Sequence, residues 1–390
     1  MSNYPPANYP NPYQAPTVII KPSANRSVMK WMLAATAILF GLLLGLIVLL
    51  LIGSETGIIG LLVGLVCATI PVPIYVMLLL WIDRYESEPM WMLATAFFWG
   101  ALVAVFGAFI LNTASSIVVA IATNSMAAGE AFGAVVSAPI VEESLKAMVL
   151  FILFFWKKDE FDGVVDGIVY AGMVALGFAM TENIQYYGRG LLQGSLGPTF
   201  IIRGIFAPFS HPLFTSMTGI GLGWARQTNN TFIKWTAPLL GLGLAIGLHA
   251  TWNGSATLFG PLGFFAAYFL VMVPVFIATL ITVIFALRRE GRIVREHLAH
   301  YCQSGLLPPH EYERLCKVSG RMGASFNALT KGGFGTWRAR MQYNQIASEL
   351  AFHRSRVARG IMKSQQEASE REAGYVQLLQ ELRQRLDQQG

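Results

Sequence analysis

Two adjacent carboxylates and a lysine fall inside an otherwise apolar stretch, Pro139-Ile-Val-Glu142-Glu143-Ser-Leu-Lys146. On a helix Lys146 lies at i+4 from Glu142 and i+3 from Glu143, so the three groups share a face. The lysine can neutralise one carboxylate and leave the other as a base or ligand; Glu143 is the first choice for the base and Glu142 for the partner of Lys146. Pro139 loosens the preceding turn by removing a donor. Three more apolar stretches carry Glu182-Asn183, Arg203 through His211-Pro-Leu-Phe-Thr215, and His249-Ala-Thr-Trp-Asn253. His249 and Asn253 are one helical turn apart. A glutamate that deprotonates water, beside a protonated or metal-backed partner that stabilises an oxyanion, is a set for hydrolysing a peptide bond. Two versions stand open. In one, His211, His249 and a glutamate such as Glu182 bind zinc, and a second glutamate is the base. In the other there is no metal, a glutamate activates water, and His249 and Asn253 donate to the oxyanion. HExxH, GxGD and GxSxG are all missing, which disfavours serine and aspartyl mechanisms.

Such residues need elements that bring them to one depth. The chain has 390 residues with 54% hydrophobic and only 13% charged side chains and a mean hydropathy of +0.51. That charged share is about half the ~25% of soluble domains, and it argues against a cytosolic globular protein. Apolar runs at 31–52, 57–82, 90–111, 131–156, 168–187, 200–224, 235–257 and 262–287 are each near the ~20 residues that cross a bilayer. The expected fold is therefore all-α, a polytopic membrane protein with about eight transmembrane helices and a helical cytoplasmic tail. Lys21, Arg26 and Lys30 precede the first run, and Arg84, Lys157, Lys158, Arg226 and Lys234 fall in alternate connections, so both termini are expected in the cytoplasm. Glu142, Glu143 and His211 sit at the centres of their runs, while Glu182 and His249 lie about 7 and 4 Å past centre toward the outside. All five can share one layer. Each charge buried there would cost about 2.5 to 3.5 kcal/mol on insertion scales, so the cluster needs a reason. Gly172, Gly177, Gly241, Gly243 and Gly247 offer small faces for close helix approach, Gly243 and Gly247 as a small-xxx-small pair.

Three regions are expected: a disordered Pro/Asn/Tyr-rich arm over 1–28, a transmembrane domain over 29–287, and a basic tail over 288–390. The formal charge of +6 arises in that tail, which fits a positive-inside topology, and no nucleic-acid partner is expected. Cys67, Cys302 and Cys316 have no disulfide or zinc spacing. The tail reads as a unit of its own. Ile346, Leu350, Val357, Ile361, Ala368, Tyr375, Leu379, Leu382 and Leu386 recur at helical spacing, as for self-association, partner docking, or a helix lying on the membrane or the domain itself.

Glu142-Glu143-Ser-Leu-Lys146, Gly177-Phe178 through Glu182-Asn183, His211-Pro-Leu-Phe214-Thr215 and His249 through Asn253 resemble four motifs of the PrsW family of intramembrane proteases. Asp83-Arg-Tyr-Glu86-Ser-Glu88-Pro89 and Glu160 through Gly167 resemble its acidic cytoplasmic connections. The resemblance covers about residues 57 to 287 and extends to CAAX-processing and bacteriocin-processing membrane proteases, whose second motif is Phe-xxx-His. This chain has Phe178-xxx-Glu182 there. It implies a peptidase of glutamic or metallo type in a bacterial plasma membrane, and a membrane-anchored regulatory substrate such as an anti-sigma factor. Its site would comprise Glu142, Glu143, Lys146, Glu182, His211, His249 and Asn253. Buried Glu/His chains also make proton relays, so a proton-coupled transporter or channel is the alternative.

Overall fold

The structure, a computed structural model, describes residues 24–158, 160–360 and 364–389. Most of the arm expected over 1–28 lies outside them, and a helix already begins at Ala24. Among the described residues there is no strand. The membrane part runs α1 (Ala24–Thr69), α2 (Val72–Ile82), α3 (Met90–Phe98), α4 (Val105–Thr123), α5 (Met126–Phe132), α6 (Ala138–Trp156), α7 (Val164–Leu192), α8 (Leu196–Phe200), α9 (Ser210–Gln227), α10 (Thr231–Ala267) and α11 (Val273–Gln303). The tail adds α12 (Pro309–Leu315), α13 (Val318–Ala358) and α14 (Gln365–Gln389). The chain is an all-α polytopic membrane protein.

Among the described residues, four stretches are long and apolar enough to cross a bilayer: Ala35–Ile82, Met90–Thr123, Val164–Leu192 and Thr231–Gln303. The first and last contain reversals. Gly57 has φ 69°, and a Cβ on Gly53 would lie 3.3 Å from Leu61. Eight residues of straight helix span about 12 Å, so the chain folds back there. Gly260 has φ 61°, and the Trp252 and Phe264 rings meet at 4.8 Å. Helix α6 holds Glu142, Glu143 and Lys146, and α9 is rich in Ser, His and Thr, which keeps both below that level of apolarity.

Proline explains three of the four π-helical turns among the described residues, the exception being Trp99–Ala104. The π-helical segments Gly133–Ser137, Ile201–Phe206 and Tyr268–Met272 each end two residues before a proline, Pro139, Pro208 and Pro274 respectively. A proline lacks the N–H and crowds the carbonyl four residues back, and the wider π turn relieves both. The first of these turns sets the rotation of α6 and hence where Glu142 points.

Helix α7 is buried along nearly its whole length and packs on α1, α3 and α9. Its crossing with α9 is backbone to backbone: a Cβ on Gly167 would come within 2.1 Å of the Gly219 carbonyl oxygen, and one on Gly219 within 2.1 Å of the Gly167 oxygen. Of the glycines expected to let helices approach, Gly172, Gly177 and Gly241 do so, against Leu79, Phe97 and Met217. Gly243 and Gly247 do not. Nothing lies within 4 Å of either, so that small-residue pair faces outward.

The connections 83–89 and 157–163, the end of α9 and the tail gather at one end of the bundle. Arg226 donates to the carbonyls of Phe154 and Phe161. Arg321, itself buried, donates to the carbonyls of Arg84, Leu315 and Asn344 and to the Ser348 hydroxyl. Arg356 pairs with Glu86 at 2.6 Å, and Arg359 with Asp162 at 3.1 Å. One apolar core runs from Leu79, Ile82 and Tyr85 through Val294 and Leu298 to Leu350, Phe352, Leu379 and Leu382. Several positions that suggested a coiled coil are thus buried within the chain itself, and Ile361 lies outside the described residues.

Beneath the tail, Asp83 and Glu88 are buried. Burial holds the Asp83 carboxyl well above the usual carboxylate range, opposed by the Glu88 backbone N–H it accepts and reinforced by Asp166 and Glu349. Glu88 is raised in the same way, by burial and then Asp166, with the Tyr170 hydroxyl opposing. A carboxyl whose folded pKa exceeds its unfolded one contributes stability that is present below the unfolded pKa and lost as pH rises through the folded pKa. The tail contact should therefore loosen as pH rises above the ordinary carboxylate range. Limited proteolysis between α13 and α14 against pH should show cleavage that speeds up with rising pH; a flat profile, or protection lost only as pH falls, contradicts this.

Candidate active site

Four elements converge near the middle of the bundle. Helix α6 presents Glu142, Glu143 and Lys146, α7 presents Glu182, α9 presents His211 and Thr215, and α10 presents His249. Glu143 and Lys146 are fully buried, and Glu142, His211 and His249 nearly so.

Glu143 is the carboxylate that the lysine holds. Its Oε1 accepts from Lys146 Nζ at 2.8 Å and from His249 Nδ1 at 3.1 Å, and its Oε2 accepts from Thr215 Oγ1 at 2.8 Å. Both of its oxygens are hydrogen-bonded. Glu142 Oε1 accepts weakly from Asn112 Nδ2 at 3.4 Å, and Asn112 in turn accepts from Ser137 at 2.8 Å. Glu142 Oε2 is buried without a hydrogen-bond partner; it stands 3.6 Å from Lys146 Nζ and 3.9 Å from His249 Nε2. Buried polar atoms in proteins are nearly always satisfied, so an orphan among charged groups marks a place that something else completes.

The imidazoles can be assigned from their partners. Lys146 Nζ, a donor only, lies 3.1 Å from His211 Nδ1, so that nitrogen accepts and Nε2–H donates to Glu182 at 2.9 Å. His249 donates through Nδ1 to Glu143, which leaves its Nε2 lone pair toward Glu142. Each histidine thus has one nitrogen on a carboxylate and the other facing the cluster centre, the arrangement of metal-ligating histidines with their outer carboxylates. Ligand atoms of Glu142, His211 and His249 lie within 4.8 Å of one another. Two imidazoles and a carboxylate suit zinc, so these residues fit an ion, with the Lys146 ammonium standing beside His211 Nδ1 and having to yield it. The phenyl ring of Phe214 stacks on His249 at 5.2 Å, and Phe178 lies 3.9 Å from Lys146 Nζ.

The structure brings Glu142, Glu143, Lys146, Glu182, His211 and His249 together, and three placements differ from expectation: Lys146 makes its short contact with Glu143 and not with Glu142. Glu182 is bound by Arg203 as well as His211 and sits outside the ligand triplet, where Glu142 takes its place. Asn253 points away from the cluster and donates to the Ala134 carbonyl at 2.9 Å, tying α10 to the π turn before α6. Arg203, Thr215 and Asn112 had no assigned role. A signal existed for two of them: Arg203 is a lone charge in an apolar run and needs a partner, and Thr215 is one turn from His211 on the same face.

Beside the cluster, between α9, α10 and α11, lies an aromatic cavity of about 110 Å³ lined by Phe209, Leu213, Trp252, Tyr268, Met272 and Phe276.

Fold and site together define a class: an all-α membrane protein enclosing a buried Glu/Lys/His centre. A family model described as PrsW family intramembrane metalloprotease matches residues 88–279, which include every residue of the cluster. The chain is 31% identical over 205 residues to Protease PrsW of Oceanobacillus iheyensis, covering 53% of this chain and 86% of that protein. It is 35% identical over 144 residues to Protease PrsW of Geobacillus kaustophilus and 32% over 155 residues to that of Bacillus subtilis. Those matches cover 37% and 39% of this chain and span 58% and 65% of the two relatives. The chain belongs to the PrsW family. No solved structure matches it.

Proposed function

We propose that this chain is an intramembrane endopeptidase that hydrolyses a peptide bond in or near the membrane segment of a membrane-anchored regulatory protein, of the kind an anti-sigma factor represents. The observation that carries the reading is the buried, unpartnered Glu142 Oε2, 3.9 Å from His249 Nε2, in a residue whose ligand atom lies within 4.8 Å of those of His211 and His249. In the metal-free reaction Glu142 takes the proton of the attacking water and returns it to the leaving amine. Glu143 holds His249 in its tautomer, Glu182 does the same for His211, and the Lys146 ammonium lies where negative charge develops on the carbonyl oxygen. Asn253 acts at one remove, by fixing the π turn that orients α6. When zinc is bound, Glu142, His211 and His249 would hold it, and it supplies a Lewis acid for the carbonyl and a water of lowered pKa. The aromatic cavity takes an apolar side chain next to the scissile bond.

The topology proposed with this function has eight spans, both termini in the cytoplasm of a bacterial cell, and the regions 29–287 and 288–390 as membrane domain and tail. Its support is the basic residues of alternate connections, together with their gathering at one end of the bundle.

Reconstituted protein with a panel of membrane-anchored substrates tests the reading. Cleavage should occur, be lost in His249→Ala, and, for the metal-loaded form, be lost to a chelator and restored by zinc. Proton flux without cleavage would overturn it in favour of a transporter. Filling the cavity with Met272→Trp should lower kcat/KM for substrates with leucine or phenylalanine at the cleaved bond about 10-fold or more relative to alanine. An unchanged preference would remove the cavity from the substrate path.

A further inference from the structure

At the end of the bundle that carries the tail, an open cavity of about 370 Å³ separates α11 from the end of α13. Its polar lining is Arg289, Arg292, Glu296 and His297 from α11, Ser355 from α13, and Arg359 just past the end of α13. Three guanidinium groups stand around this cavity; Glu296 lines it, and Asp162 and Glu290 act on Arg289 from its edge. Arg359 is already paired with Asp162. Arg289 and Arg292, one turn apart, make no ion pair or side-chain hydrogen bond among the described residues. Like charges around a cavity repel, and holding them there is costly unless an anion is shared between them.

The position selects the anion. Ile281, Ile284 and Phe285 on the same helix are exposed, as side chains that face lipid are. Arg289 and Arg292 follow Phe285 by four and seven residues, about 6 and 10 Å along the axis. That step leads from the acyl boundary into the layer of lipid phosphates. Guanidinium groups bind phosphate oxygens in pairs, and basic pockets beside transmembrane helices are suited to anionic headgroups.

We propose that this cavity binds the phosphate headgroup of an anionic phospholipid, bridging the last transmembrane helix and the tail. Arg289 and Arg292 grip the phosphate, Ser355 and His297 donate to it, and Arg359 contributes charge while keeping its link to the connection at Asp162. The site lies outside the residues matched by the family model and is independent of the proteolytic reading.

Native mass spectrometry of the full-length protein, titrated with phosphatidylglycerol or phosphatidylcholine, tests it, with inorganic phosphate and glycerol 3-phosphate as soluble competitors. Phosphatidylglycerol should bind and phosphatidylcholine should not compete. At about 1 kcal/mol per basic residue, R289Q/R292Q should weaken binding about 30-fold and R289K/R292K only a few-fold. The variant R371Q/R385Q makes the same charge change on the exposed face of α14 and should bind as the parent does. If the double variant does not accumulate, R292Q alone, on the exposed rim, should lose about 5-fold. Parental affinity in R289Q/R292Q, or in R292Q where that variant is read, overturns the site, as does an equal loss in R371Q/R385Q. Binding of the soluble phosphates with no binding of the lipid overturns the lipid assignment.

Discussion

Glu142→Gln is expected to lower peptide-bond cleavage by about 100- to 10,000-fold, the range that a positioned general base contributes, while leaving membrane insertion and thermal stability nearly unchanged. The amide has the carboxylate's shape, so packing is preserved. Glutamine can still meet Asn112 through its oxygen, whereas the other end of the side chain becomes a donor that cannot take a proton from water. Stability should hold because Glu142 makes no short ion pair: its distances to Lys146 and His249 are 3.6 and 3.9 Å. A single-turnover assay on reconstituted protein, beside a thermal melt, separates the two effects. Full activity in this variant would move the base elsewhere.

Glu143 should behave differently. Glu143→Leu removes the partner of a fully buried lysine and leaves His249 and Thr215 without their acceptor. Breaking a buried pair from one side costs about 3–5 kcal/mol, so this variant should lose much of its folded population as well as its activity. Removing both charges should restore what removing one destroys, because an apolar pair of similar volume is often neutral or stabilising. Glu143→Leu with Lys146→Met should therefore insert and melt near the parent protein, yet remain inactive because His249 has lost its orienting carboxylate. A double-mutant cycle in melting temperature reads this directly. Additive losses would mean that the ion pair is not what holds α6 in place.

The difference between the two glutamates was not legible in the sequence. Spacing put both within reach of Lys146, and helical geometry at i+3 and i+4 favours neither. What decides is tertiary. Thr215 from α9 and His249 from α10 close around Glu143, and the π turn before Pro139 rotates Glu142 toward the opening between them. The clustering of these residues was legible for a different reason, since ionisable groups in apolar runs are costly and few, and their depths could be matched from run centres alone. Asn253 shares a face with His249, but the sequence could not show that its amide meets the Ala134 carbonyl on another helix. Likewise the hairpins at Gly57 and Gly260 were visible as breaks between apolar runs, whereas the outward face of Gly243 and Gly247 depended on which neighbour α10 chose. The tail's apolar spacing identified a helix seeking a partner. Of the alternatives it left open, packing on the domain itself is the one found, and spacing alone could not choose it over self-association.

The most direct test of the central claim is a quantitative survey of membrane-protein termini in cells expressing the native chain and in cells expressing Glu142→Gln at equal abundance. The account predicts new termini in or beside transmembrane segments that vanish in the variant, which would establish proteolysis and name the substrate together. The same termini appearing in both cell populations at equal rates would contradict it.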